Sequence, residues 1–263
     1  MRFLEHLPHI TAVMSERSDG PMGPGGNGDP AENRKRFLEA NGFSVQQMVL
    51  AGLTDGIAVR VLTTRGAPRD GVVPNTDGLL SFGPDIGLRA QDCFSLFFAP
   101  SDPSDGIEFV GLVHAGWRGI LGGIIAVVGA TLSSRGIDPR HDLEVAIGPG
   151  IRQCCYVVRD DENGWRQYLD RGYERFVEEI EPDAVGRRFR VDLAGILLYQ
   201  LTTFPETSIP ASHITVAEEC TYCTRNGNGT YRFASWRRDG LKGANMLSAI
   251  RMTTKRGMET IEL

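Results

Sequence analysis

The sequence predicts an α/β fold, and three observations carry that expectation. Short apolar runs rich in Val, Ile, Leu and Phe are bounded by Gly, Pro or Asp, as buried strands are. Stretches of helical length and helical patterning lie between some of them. The chain has 263 residues, 41% hydrophobic and 23% charged, which is enough material for a sizeable core. No repeat and no linker divides it, so residues 1–263 are expected to form one domain.

Taken in order, residues 19–30 are too rich in Gly and Pro for regular structure and are expected to form a loop. Ala31 to Asn41 has charged residues around Phe37 and Leu38 and stops at Gly42, the pattern of a short amphipathic helix. Strands are expected at Ile57–Thr63, Gly78–Phe82, Cys93–Ala99, Ile107–His114, Leu143–Ile147 and Ile214–Ala217. The clearest helix runs from Arg118 to Ser133, apolar nearly all round and therefore buried. Further helices are expected over Asp161–Ile180, Asp192–Thr202 and Gly243–Met252. Alternating elements of both kinds give the α/β class.

Charge and composition exclude several roles. A formal net charge of −5 is at odds with nucleic-acid binding, which needs a concentrated basic surface. No apolar stretch is long enough to span a bilayer, and the N-terminus carries Glu5 where a signal peptide would be apolar, so a cytoplasmic, membrane-free protein is expected. Five cysteines, with Cys154 and Cys155 adjacent, make a poor disulfide framework and imply free thiols.

Two motifs concentrate the chemistry. Gln91-Asp92-Cys93 and the run from Val113 to Gly119 place a thiol and an imidazole at strand ends. Cys93 and His114 are suited to hold Zn²⁺ or copper, or to act as nucleophile and general base, and spacing alone leaves both open. Gly116 and Gly119 flank Trp117-Arg118 at a strand-to-helix junction, where free backbone N–H groups can bind an anion. Adjacent Arg237 and Arg238 close an aromatic strand end, a segment that in isolation reads as a solvated turn. The Gly/Pro loop from Ile147 to Tyr156 follows a strand, where binding loops are built. Cys220-x-x-Cys223 has the spacing of half a zinc site or a redox pair, but with no second pair at suitable spacing it reads as coincidence.

Together these stretches resemble one family, the bacterial YfiH-like proteins, also known as the laccase-domain or polyphenol-oxidase family and associated with purine nucleoside phosphorylase activity. The likeness rests on residues 76–81, 90–93, 114–119, 147–149 with 155–156, 192–193, 220–221 and 235–240, in the family's order over roughly residues 11 to 250. It implies a single YfiH-like domain with mixed β-sheets between helical layers, related to the toxin deamidases. It also implies a Zn²⁺ ion, with copper as the alternative, held by Cys93, His114 and Asp55. Asp55 stands in Leu53-Thr54-Asp55-Gly56, where the family has the histidine of Gln-Val-His-Gly, and Val157 stands where it usually has glutamate after Cys-Tyr. A carboxylate oxygen is an acceptable zinc ligand.

The resemblance further implies catalytic roles for Cys93, His114 and Arg118, and substrate or phosphate binding by Arg17, Arg237, Arg238 and Cys155. The expected reaction is phosphorolysis of adenosine, inosine or methylthioadenosine, with adenosine deamination as a companion, so the expected partners are a purine nucleoside and phosphate. The alternatives are a copper-dependent phenol oxidase, a Cys-His hydrolase, and a nucleoside-binding descendant without turnover.

Overall fold

Strand Phe94–Pro100 sets the layering, because all seven of its residues are buried. Its side chains alternate across the sheet. Phe94, Leu96 and Phe98 pack with the helical residues Ile124, Ile125, Val128, Ile196, Leu197 and Leu201. Phe97 and Ala99 face the other way, against Ile10, Ala12, Ile86, Leu88 and Ile250 of a second sheet. Both faces are covered, which is why the sequence shows a continuous apolar run there rather than an alternating one.

The computed structural model describes residues 1–63, 71–102, 106, 108–160, 164–240 and 245–253. Its inner sheet has the order Ile214–Val216, Leu143–Ile147, Phe94–Pro100, Val110–Ala115, Gly78–Ser81, Val59–Leu62. The two outermost pairings are parallel and the inner three antiparallel, so the sheet is mixed. The second sheet runs Arg2–Phe3, Ile10–Met14, Met246–Met252, Ile86–Ala90, Val49–Ala51, Val72–Val73. Helix Pro30–Ala40 closes its outer face, with Phe37 and Leu38 against Val13, Leu247 and Ala249. That helix begins where the sequence says it should: the Asp29 carboxylate accepts from the N–H groups of Ala31 and Glu32, and Pro30 takes the first helical position. A separate three-stranded antiparallel sheet joins Val157–Arg159, Gly186–Val191 and Val177–Asp183. The expected α/β fold with mixed sheets between helical layers is therefore present.

All six expected strands exist, with ends displaced by no more than a few residues; Ile107 lies outside the described residues. Within residues 19–30, residues 20–29 form a loop, and helix Leu193–Thr203 occupies the expected place. Three helical expectations need correction. The stretch from Arg118 to Ser133 is two helices, Trp117–Gly122 and Ile124–Ser133, broken where Gly123 takes φ 86°. Within Asp161–Ile180, residues 161–163 lie outside the described residues, only Arg166–Leu169 is α-helical, and Val177 onward is strand. Gly243 and Ala244 lie outside the described residues, and Met246–Met252 is a central strand of the second sheet rather than a helix. A segment with five apolar residues in seven fits either period, and pairing with Ile10–Met14 and Ile86–Ala90 decided it.

Gly129 in helix Ile124–Ser133 gives a direct check on this packing. Glycine inside a helix ordinarily costs about 1 kcal/mol relative to alanine. Here a Cβ would strike the Glu206 carbonyl, with its carbon 2.7 Å away and Thr207 Cγ2 at 2.9 Å. Overpacking against fixed backbone outweighs the propensity gain, so Gly129→Ala should destabilise the protein by about 1–3 kcal/mol. Urea unfolding checks this, and a stabilised variant would contradict the close approach.

Candidate functional site

The antiparallel pairing of three strands assembles the centre. Gly78 lies opposite Val113, and Ser95 opposite His114, so the residues just before Gly78 and Phe94 meet the end of Val110–Ala115. His114 is 3% exposed, and its Nδ1 lies 3.1 Å from Oδ1 of the fully buried Asp77. The same carboxylate accepts from Thr54 Oγ1 at 2.8 Å, Gly56 N–H at 3.0 Å and Thr54 N–H at 3.2 Å. Those bonds fix the loop that carries Asp55. Asp55 has φ 57°, a left-handed conformation that aspartate tolerates better than most residues, and its Oδ1 lies 3.8 Å from His114 Nε2. Cys93 completes the group: the ligand atoms of Asp55, Cys93 and His114 all lie within 4.8 Å of one another.

Electrostatics follow from this packing. Burial alone would raise the pKa of Asp77, but hydrogen bonds from His114, Thr54 and Gly56 more than cancel that and hold it at about 2. Burial alone would lower that of His114, yet Cys93, Asp77 and Asp55 surround it with negative charge and raise it to about 10. The Asp77 carboxylate takes Nδ1–H, so Nε2 is the nitrogen turned toward Asp55. A carboxylate behind a histidine is the usual support of a metal-binding imidazole.

The donor set fits a metal. A Cβ built on Gly116 would stand 3.0 Å from Cys93 Sγ, 3.5 Å from His114 Cε1 and 3.6 Å from Asp55 Oδ1, so the absent side chain leaves a space bounded by all three groups. One thiolate, one imidazole and one carboxylate with a fourth direction open is the ligand count of a catalytic zinc site. These residues can therefore hold a metal ion.

Around this centre lies a cavity of about 400 Å³. Three arginines line it: Arg89, Arg118 and Arg237. The Arg118 guanidinium sits 4.2 Å from the centroid of Trp117, and Arg237 donates from Nη1 to the Val157 carbonyl at 2.8 Å. Arg89 is an addition to the expected residues; burial, reinforced by Arg34, lowers its pKa, as expected for a cation held without enough solvent or counter-charge. Trp236, 55% exposed, and Tyr156 add aromatic surface. Gln91 Nε2, also at the cavity, is buried with no hydrogen-bond partner among the described residues.

Asp92 anchors the wall that carries Cys93 and Arg237. It has φ 61°, is 8% exposed, and accepts from Thr221 Oγ1 at 2.7 Å, Arg237 N–H at 2.8 Å and Ser235 Oγ at 3.0 Å. Of the residues the resemblance assigns to substrate, Arg237 lines the cavity, whereas Arg17, Arg238 and Cys155 lie outside its lining. Arg17 and Arg238 both bind Asp239, and Arg238 also donates to the carbonyls of Thr221, Tyr222 and Phe233. Cys155 instead groups with Cys154, Cys220 and Cys223. The expectation that Cys220-x-x-Cys223 has no second pair is thus corrected, because the fold brings Cys154 and Cys155 beside it. All five cysteines are free thiols, as expected.

The sequence matches, over residues 27–253, the family described as multi-copper polyphenol oxidoreductase laccase. It is 32% identical over 230 residues to purine nucleoside phosphorylase YlmD of Geobacillus stearothermophilus, covering 84% of this chain and 78% of that protein. A purine nucleoside phosphorylase of Deinococcus radiodurans is 30% identical over 189 residues, 72% of this chain and 66% of its own. The crystal structure of YlmD from Geobacillus stearothermophilus superposes with a TM-score of 0.74 at 29% identity, covering 94% of this chain and 93% of that one. That of Bacillus licheniformis YfiH reaches 0.78 at 24% identity over 95% of each chain, a likeness of fold.

Asp77 supports both His114 and the Asp55 loop, so Asp77→Asn should damage the centre from two sides. An amide cannot accept from all these donors at once. Zinc affinity should fall by roughly 10- to 100-fold, with a loss of about 1–3 kcal/mol in stability from the unsatisfied donors. Competition with a chromogenic chelator reads the first and urea unfolding the second; unchanged zinc affinity would remove Asp77 from the support of the site.

Proposed function

The chain belongs to the multi-copper polyphenol oxidoreductase laccase family, and from that premise we propose that it is a metal-dependent purine nucleoside phosphorylase acting on adenosine, inosine or methylthioadenosine, with adenosine deamination as a companion activity. One observation carries the reading: a cavity of about 400 Å³ combines the Asp55, Cys93 and His114 donors with three arginines and exposed aromatic surface. A nucleoside and phosphate require that combination, an aromatic face for the base and concentrated positive charge for the anion. The names of the relatives point the same way.

Phosphorolysis forms a bond from phosphate oxygen to the ribose anomeric carbon, breaks the bond from that carbon to the purine, and leaves the base to take up a proton. Arg118 and Arg237 hold the phosphate and neutralise its charge. Trp117, Tyr156 and Trp236 give the base flat apolar surface and exclude water. Cys93, His114 and Asp55 would hold zinc, which when bound supplies a Lewis acid for phosphate or water. Asp77 accepts from Nδ1–H of His114, so Nε2 is the nitrogen that would give up its proton to hold the ion. Val157, where the family usually has glutamate, offers its carbonyl to Arg237 but no side-chain proton.

The donor set supports the zinc reading over the older oxidase reading. His114 is the single imidazole among the described residues of the cavity lining. Reduction of oxygen by four electrons at a cluster of several coppers would need many more such ligands.

Incubation of the purified, metal-analysed protein with purine nucleosides, with and without phosphate, tests the proposal directly. Free base should appear only with phosphate; release independent of phosphate would identify a hydrolase, and no release a binding protein. Arg118→Glu should weaken phosphate binding by roughly 10- to 100-fold, the scale of a hydrogen bond to a charged group, with the fold intact. Calorimetry with phosphate measures this, and an unchanged affinity would take Arg118 out of the site. Asp55→His replaces a carboxylate by a neutral nitrogen at a backbone position histidine also tolerates. Zinc occupancy after purification should rise, and turnover with it unless Val157 limits the reaction. Full occupancy before the substitution and no gain after it would show that Asp55 is already a competent ligand or lies outside the site.

A further inference from the structure

The four cysteines outside the cavity form a second constellation. Cys154 and Cys155 lie in the turn after strand Leu143–Ile147, and Cys220 and Cys223 lie in the loop after Ile214–Val216. Those two strands are parallel neighbours, so the loops leaving them run side by side; Gly150 bridges Cys220, and Thr221 N–H donates to the Gly150 carbonyl at 3.1 Å. The result is that all four sulfurs lie within 4.8 Å of one another.

From this geometry we propose a tetrahedral four-thiolate zinc site formed by Cys154, Cys155, Cys220 and Cys223. Zinc–sulfur bonds of about 2.3 Å place neighbouring sulfurs of a tetrahedron about 3.8 Å apart, and Cys154 Sγ and Cys223 Sγ stand 3.8 Å apart. Four soft donors converging on one point select zinc over the hard cations. An iron–sulfur cluster would need the sulfurs spread around a larger core.

The surroundings of Cys220 suit a thiolate, while burial pushes the Cys154 and Cys155 thiols up, so zinc would have to displace their protons. Binding replaces four S–H protons, released to solvent, by one Zn²⁺, and leaves the group with a net charge of −2. Backbone N–H groups of Arg152, Tyr222 and Cys223 are directed at the Cys220 sulfur, that of Arg152 at 3.4 Å. Arg238, itself paired with Asp239, grips the same loop through the carbonyls of Thr221 and Tyr222, at 3.2 and 2.6 Å. Such partners hold thiolate ligands in place.

The site would act on the cavity without touching substrate. The first loop carries Ile151 and Tyr156 into the cavity wall, and the second carries Thr221, which bonds Asp92 next to Cys93. One ion joining the two loops would make that wall a single rigid piece. The inference does not rest on the phosphorolysis reading and survives its failure.

The test uses the full chain, stripped of metal under reducing conditions and then given zinc. Two zinc ions per chain are expected, falling to one in Cys93→Ala and to one in the Cys154→Ser/Cys223→Ser double variant. Replacing zinc by Co²⁺ in Cys93→Ala should give the strong sulfur-to-metal charge-transfer absorption of a four-thiolate tetrahedron. If the double variant fails to fold, alkylation of the unmodified protein followed by mass spectrometry answers instead: zinc should protect all four cysteines and a chelator should expose them. Alkylation at the same rate with and without zinc, a Cys93→Ala variant that retains no zinc, or a Cys154–Cys223 disulfide in freshly isolated protein would overturn the proposal.

Discussion

A single buried carboxylate holds the candidate centre together. Asp77 has no exposed surface and accepts four hydrogen bonds, one from the imidazole of His114 and three from the loop around Asp55. Burying a charge without such partners costs several kcal/mol. The arrangement of donors around it is therefore narrowly determined. His114 on one strand and Asp55 on a loop 59 positions away are set in register by this one group, and Cys93 joins them because Phe94 pairs with Ala115. The convergence of Asp55, Cys93 and His114 is thus largely a by-product of satisfying a buried anion.

The same economy governs the charge of the cavity. The chain is acidic overall, with 33 Asp and Glu against 28 Lys and Arg, yet Arg89, Arg118 and Arg237 converge on one concave surface. Each is held differently: Arg118 beside an indole ring, Arg237 by a backbone carbonyl, and Arg89 by partial burial. None of the three is ion-paired among the described residues, whereas Arg17 and Arg238, adjacent in sequence logic, are consumed by Asp239. Net charge says little about such local focusing.

How much could be read from the sequence follows from where its signals are local. The inner strands were legible because burial on both faces makes each of them a continuous apolar run between turn residues. Cys93, His114 and Arg118 were legible because they sit in motifs of a few residues. Val177–Asp183 and Gly186–Val191 carry mostly charged residues on an exposed sheet, so their composition hides them. Met246–Met252 looked helical since its type is decided by Ile10–Met14 and Ile86–Ala90, which are remote in sequence. Asp77 stood in a motif quoted only for its resemblance, and nothing local marks it as the hub. Arg89 lacked any motif. The cysteine pairs, 65 residues apart between Cys155 and Cys220, became neighbours only through parallel strand pairing.

The position of Met246–Met252 between Ile10–Met14 and Ile86–Ala90 has a bearing on how the molecule is made. The Leu247 N–H donates to Ser15 Oγ across 232 residues of sequence. On a ribosome, Ile10–Met14 emerges early and waits through most of synthesis with one ladder edge open, while the inner sheet and its helices can already assemble. Contacts of such long range slow folding and leave an edge available for wrong partners. The part of the cavity lining that contains Arg89 and Asn245 borders this late-closing seam. Cys93 and His114 stand at the ends of inner-sheet strands, so the last strand to be made completes the wall beside the candidate centre rather than the centre itself.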